Sequence, residues 1–202
     1  MLREEIMTIA SRYATPEKAI ELWEEIEASG HEARRHYHTL EHFENVLREL
    51  VPHKSAFTNW DTTVFAVAYH DIIYNPLKGN NEEKSAAFAI KQLTAIEFPE
   101  KEINRSAAMI LATKKHEPAD EETNLFTDAD LSILGAETEV YTEYTHQIRR
   151  EYSLYPDFLY KPGRKKVLLH FLNMDTIFKT VHFRSKYEIQ ARTNLEAELQ
   201  KL

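Results

Sequence analysis

The apolar run Val64-Phe65-Ala66-Val67-Ala68-Tyr69 ends directly on His70-Asp71. This junction limits what the chain can fold into more than any other stretch. An unbroken apolar run belongs in a core, so the imidazole and carboxylate that close it are carried to the core's edge. Burying either group without a partner is costly. Either each is hydrogen-bonded, or the two together hold a metal ion. Further candidate ligands stand on both sides, His38 and His42 before and His116 and Asp130 after. The fold must decide whether they reach one point.

The pattern around this junction is helical. Leu2, Ile6, Ile9, Ala10 and Tyr13 recur at helical spacing. Thr15-Pro16-Glu17 reads as an N-cap, a first-turn proline and a first-turn acid. That helix runs through Ile20, Trp23 and Ile26 to Gly30, expected as its C′ stop. Helices are predicted over 38–50, from Asn59 or Asp61 to before Pro76, from Asn81, over 100–113, over 125–134 with a break at Gly135, and over 138–152. Pro156 and Pro162-Gly163 are expected to punctuate a connector, followed by helices over 164–172 and about 185–199. No stretch alternates in the manner of a strand. Only 4 of 202 residues are Gly, which disfavours turn-rich β folds and phosphate-binding glycine loops. The expected class is all-α, one domain over 1–202, with a site-bearing core over about 31–136 and a C-terminal helical extension over about 137–202.

Composition closes off several chemistries. With no Cys, thiolate nucleophiles, disulfides, Cys-type zinc sites and Fe–S clusters are excluded. The net charge of −8 disfavours nucleic acid as the main partner. The charged start Met1-Leu2-Arg3-Glu4-Glu5 and the lack of a long apolar run predict a cytoplasmic protein with no membrane association.

His38 and His42 are four apart, one turn on a common helix face. His70 and Asp71 are neighbours and point about 100° apart, so both reach one ion only where a helix end faces it. Asp128 and Asp130 lie in Phe126-Thr127-Asp128-Ala129-Asp130-Leu131. One of them is expected to cap a helix, and Asp130, leading into Leu131, Ile133 and Leu134, is the better inward candidate.

In order and context these residues resemble the HD-domain superfamily of metal-dependent phosphohydrolases, with its H…HD…D pattern: His42, then His70-Asp71, then Asp130. Tyr37-His38-Thr39-Leu40-Glu41-His42 is similar to the Tyr-His-Asn-x-x-His run of cyclic-nucleotide phosphodiesterases, with Thr39 in place of Asn. There the second His is a ligand and the first acts near the leaving group. A closer likeness, spanning nearly the whole chain, is to a bacterial group described as predicted metal-dependent HD-superfamily phosphohydrolases. It rests on Arg35-His36-Tyr37-His38, Tyr69-His70-Asp71-Ile72-Ile73-Tyr74, Asn81-Glu82-Glu83-Lys84-Ser85-Ala86, the run Asp128 to Gly135, Gly163-Arg164, and Ala191-Arg192-Thr193-Asn194-Leu195.

The resemblance implies an HD-type helical bundle with added C-terminal helices and a metal site of His42, His70, Asp71 and Asp130. Two imidazoles and two carboxylates suit Mn, Fe, Co, Ni or Zn better than Mg. Asp71 is the natural bridge to a second ion, and His116 the candidate ligand for it. His38, Asp71, Arg35 and Glu82 or Glu83 are the expected catalytic groups. Arg35, Lys115, Arg149 and Arg164 are the candidate phosphate ligands. The implied activity is hydrolysis of a small phosphoester, a nucleotide being the expected partner, in a chain open to oligomerisation. The alternative is an HD-type module that binds metal and nucleotide without turnover. A ferritin-like di-iron site has one Glu-x-x-His, Glu143 to His146, and lacks the second. His-Glu-x-x-His and Gly-x-Ser-x-Gly signatures are absent.

Overall fold

The computed structural model describes residues 1–202. It contains ten α-helices and no strand, which agrees with the all-α expectation. They are α1 (Leu2–Ala10), α2 (Pro16–Gly30), α3 (Leu40–Leu50), α4 (Trp60–Tyr69), α5 (Asn81–Ala95), α6 (Glu100–Ala112), α7 (Glu121–Asp130), α8 (Thr138–Glu151), α9 (Asp157–Leu172) and α10 (Val181–Lys201). Short 3-10 turns follow α3 (Val51–Ala56) and α7 (Leu131–Gly135). No helix is long and apolar enough to cross a membrane.

Helix α4 is the axis of the arrangement. Every residue from Trp60 to Tyr69 is buried, as an all-round apolar helix requires. Asn59 starts it by accepting from the Asp61 and Thr62 N–H groups. Helices α1, α3, α5 and α6 pack around it. One core cluster of 44 buried residues, from Leu2 to Leu195, joins this sheath to the C-terminal helices. Helix α10 reaches the rest mainly through the 3-10 turn that follows α7.

Several local expectations change. Helix α4 ends at Tyr69 rather than running on toward Pro76, and α7 starts at Glu121 rather than Leu125 and gives way to the 3-10 turn at Leu131. Gly30 is the last residue of α2 rather than a left-handed C′ residue, since no glycine has positive φ. Its small size matters instead: a Cβ there would lie 2.6 Å from Leu40 Cγ and 2.9 Å from Leu40 N. Pro162 and Gly163 lie inside α9, not in a connector. The carbonyl that Pro162 leaves unbonded is that of Phe158, a residue open to solvent, so water can take its place. Helix α10 starts at Val181, four residues early, because the buried Asp128 carboxylate accepts from the Lys179 and Thr180 N–H groups and the Thr180 hydroxyl. Helix α3 starts at Leu40, with Thr39 extended at its N-cap. His38 therefore lies before the helix.

A candidate metal centre at four helix ends

The candidate ligands sit where helices begin or end. His42 is in the first turn of α3, His70 is the C-cap of α4, Asp71 follows it, and Asp130 is the last residue of α7. His116 comes just after α6, with φ +52°, a left-handed backbone that a non-glycine residue holds at some cost. Three of these ends are helix C-termini, where the negative end of the helix dipole favours a cation.

Their ligating atoms converge. Nε2 of His42 and Nε2 of His70 are 3.0 Å apart. Asp130 Oδ1 lies 3.2 Å from His42 Nε2 and 3.6 Å from His70 Nε2. Asp71 Oδ2 lies 3.3 Å from His70 Nε2 and 3.8 Å from His42 Nε2. His42, His70 and Asp71 form a group that could hold a metal ion, with ligand atoms within 4.8 Å of one another. His70 Nδ1 is 2.8 Å from the Val67 carbonyl. A carbonyl only accepts, so Nδ1 carries a proton, and Nε2 is the ring atom turned toward the group.

The charges show what the group attracts. Every ion-pair partner of Asp71 and Asp130 is an imidazole; no Lys or Arg neutralises either. Burial alone would raise both carboxyls, but the neighbouring imidazoles outweigh it and hold both well below the carboxylate range. Burial alone would lower His70, yet Asp71 and Asp130 push it up to about 10. His42, whose burial dominates, is lowered. The centre thus holds two anions around a place that attracts positive charge, and its nitrogen and oxygen donors fit a divalent ion.

Asp130, rather than Asp71, reaches two sets of imidazoles. Its Oδ1 faces His42 and His70, while Oδ2 is 3.0 Å from His116 Nε2. Asp128 points the opposite way, to α10. Two positions along a helix are about 200° apart, so only one of this pair can face the centre.

His38 borders the same group through a partner that local sequence does not reveal. Glu151, the last residue of α8, is fully enclosed. Its Oε1 accepts from the N–H groups of His36, Tyr37 and His38 at 2.8, 2.8 and 3.0 Å, and its Oε2 lies 2.7 Å from His38 Nδ1. These bonds draw residues 36–38 out of the helix. They also aim His38 Nε2 toward Asp71 Oδ2, 3.8 Å away. Burial would raise the Glu151 carboxyl, but the His38 hydrogen bond and charge bring it down to about 2. Burial opposes the charged form of His38, and the Glu151 bond with the Asp71 charge more than offsets it, so His38 is raised. The Tyr74 ring stacks on His38 at 3.9 Å.

The predicted phosphate ligands have other partners in the fold. Arg35 is buried and donates to Glu32 and to the carbonyls of His38, Asp71 and Ile72. It pins the turn that carries Asp71, and four of its N–H donors are already used. Arg149 donates to the Tyr152 and Tyr155 carbonyls and to Asp157. Arg164 pairs with Glu198 through Nε and Nη2 at 2.7 and 2.9 Å. Lys115 is open to solvent beside Glu117. Glu83 pairs with Lys114, and Glu82 is 3.8 Å from the same ammonium, so both face outward at the start of α5.

Comparison of the chain with protein-family models, with curated proteins and with solved structures gives no match. Geometry alone therefore speaks for the stretches singled out in sequence. Within Asn81 to Ala86, Asn81 bonds the backbone of Asn75, and the Ser85 hydroxyl bonds that of Ile73, both closing the loop behind Asp71. Within Ala191 to Leu195, Arg192 covers the carbonyls of Leu172 and Met174 at the end of α9. Asn194 donates to Leu134 and Ala136, clamping the turn behind Asp130.

Proposed function

We propose that this chain is a metal-dependent phosphohydrolase of HD-domain type that cleaves a small phosphoester. One observation carries the reading: two partly buried carboxylates and the imidazoles from four helix ends converge, and no Lys or Arg neutralises the carboxylates. His42, His70, Asp71 and Asp130 are the residues to hold the ion. His116 with the second oxygen of Asp130 is suited to a second one. When bound, a divalent ion lowers the pKa of a water and neutralises phosphate charge. Mn, Fe, Co, Ni and Zn suit these donors better than Mg.

The chain's own residues supply the rest. Hydrolysis joins a water oxygen to phosphorus and breaks the bond to the alcohol oxygen, which must gain a proton. His38 is placed to give it. Glu151 holds Nδ1, so Nε2 faces the group, and a positioned imidazole of this kind contributes typically 10²–10⁴-fold. Arg35 positions Asp71 by holding its carbonyl.

Steady-state hydrolysis of a phosphoester panel with Mn²⁺, Co²⁺, Ni²⁺, Zn²⁺ and Mg²⁺ tests the reading. Turnover is expected with at least one metal and lost in folded His70→Ala and Asp71→Ala variants. Tight nucleotide binding without turnover under every metal would favour a sensor instead.

A further inference from the structure

His38, the group proposed to protonate the departing alcohol oxygen, lines a cavity of about 460 Å³. This falls in the size range of small-molecule sites. Its walls come from Tyr74 and from α8, α9 and their connection: Tyr144, Tyr152, Tyr155, Tyr160 and Arg164, with Ile148, Leu159 and Val167 completing them. The walls are built rather than incidental. Arg149 staples the connection through the Tyr152 and Tyr155 carbonyls and lies 4.6 Å from the Tyr160 ring centre. Tyr152 faces Tyr155 and Tyr160 with ring centres about 6 Å apart.

The charge of the cavity is as informative as its shape. Two groups in its lining can carry positive charge, and both are paired: His38 with Glu151, and Arg164 with Glu198 in a two-point pair, with Glu198 also accepting from Tyr141. The guanidinium lies over the Tyr144 ring. No unpaired Lys or Arg lines the space. A second phosphate or a carboxylate here would be desolvated without a counter-charge, which is costly. A neutral ring would meet tyrosine faces and edges, a favourable aromatic arrangement.

Resting on the phosphohydrolase reading, we propose that the substrate is a monophosphate ester of a neutral aromatic alcohol. The cavity binds the ring, and Tyr152, Tyr155, Tyr160 and Leu159 set the specificity. Polyphosphates and esters of charged or sugar-like alcohols are disfavoured. Hydrolysis releases the aromatic alcohol into the cavity, with its oxygen protonated from His38, and leaves inorganic phosphate.

The test compares phenyl phosphate, glycerol 3-phosphate and tripolyphosphate as Mn²⁺-supported substrates, with calorimetric binding of phenyl phosphate measured alongside. The variants are Leu159→Asp, at a lining position 52% exposed and so tolerant of change, and Tyr160→Ala. Phenyl phosphate is expected to have a KM at least tenfold below that of glycerol 3-phosphate. Both variants should raise that KM and weaken phenyl phosphate binding about tenfold, with glycerol 3-phosphate kinetics moved less than twofold. Equal effects on both esters, preferred turnover of tripolyphosphate, or binding that ignores both variants overturns the inference and spares the hydrolase reading. Cavity-dependent binding with no turnover of any ester overturns the hydrolase reading and keeps the cavity's preference for an aromatic ring.

Discussion

At the scale of single residues, the centre is governed by where charge is left uncompensated. Asp71 and Asp130 have only imidazoles as partners, so either a proton or a metal ion must supply positive charge. Binding of Mn²⁺ is expected to stabilise the fold by about 2.7 kcal/mol at 100 times Kd. Thermal unfolding with and without Mn²⁺ should show the shift in the native chain and not in His70→Ala. Glu151 makes a second test. Its folded carboxyl titrates at about 2 against an ordinary 4.5. A depressed acid stabilises the fold above its unfolded value, and the benefit is lost as pH falls from about 4.5 toward 2. The shift corresponds to about 3 kcal/mol. Urea unfolding from pH 5 to pH 2.5 should therefore fall more steeply for the native chain than for Glu151→Gln. His38 was legible in sequence as a candidate, but its partner was not. Glu151 lies 113 residues away, and nothing in the run Arg149-Arg150-Glu151 distinguishes a buried acid from a solvated one.

At the scale of elements, helix ends do the positioning. Asp128 and Asp130 show how two similar side chains divide the work: one starts α10, the other faces the imidazoles. In Asp128→Ala, the Lys179 and Thr180 N–H groups lose their acceptor. The buried Lys179 ammonium, 3.2 Å from the carboxylate, loses its counter-charge. A destabilisation of about 3–5 kcal/mol is expected from urea unfolding. Asp130→Asn removes no helix cap. It should weaken Mn²⁺ binding at least tenfold by calorimetry while lowering stability far less. Equal loss of stability in the two variants would contradict this division. Periodicity and turn residues placed these ligands on or near helices, because apolar spacing and caps are local, but ran α4 on toward Pro76 and α7 through Leu134. They did not show which face of each stop looks inward, since that depends on the neighbouring helix.

At the scale of the whole molecule, the C-terminal helices support the centre from behind. A Cβ at Gly135 would lie 2.5 Å from Tyr187 Cβ and 2.7 Å from the Tyr187 carbonyl oxygen, so α10 rests directly on the turn that follows Asp130. Asn194 clamps the same turn. Gly135→Ala must push the two backbones apart. The expected cost is about 1–3 kcal/mol, with weaker Mn²⁺ binding although no candidate ligand is touched. Unchanged Mn²⁺ affinity in a destabilised Gly135→Ala would disconnect α10 from the centre. The tyrosines of α8 and α9 likewise gain meaning only when α9 folds back beside His38 and encloses a space.

The sequence by itself determined the helical class, through residue spacing and the near lack of glycine, and it marked His42, His70, Asp71, Asp130 and His116. Those readings depend on local periodicity and on the chemistry of each side chain, both of which are written in the chain. Only the tertiary structure decided that Arg35 pins a turn, that Glu151 holds His38, that Asp128 starts α10, and that a tyrosine-walled cavity adjoins the centre. A charged residue does not carry the identity of its partner. Whether it is spent inside the fold or left facing a ligand is set by which surfaces meet, and those contacts are separated by tens to more than a hundred residues.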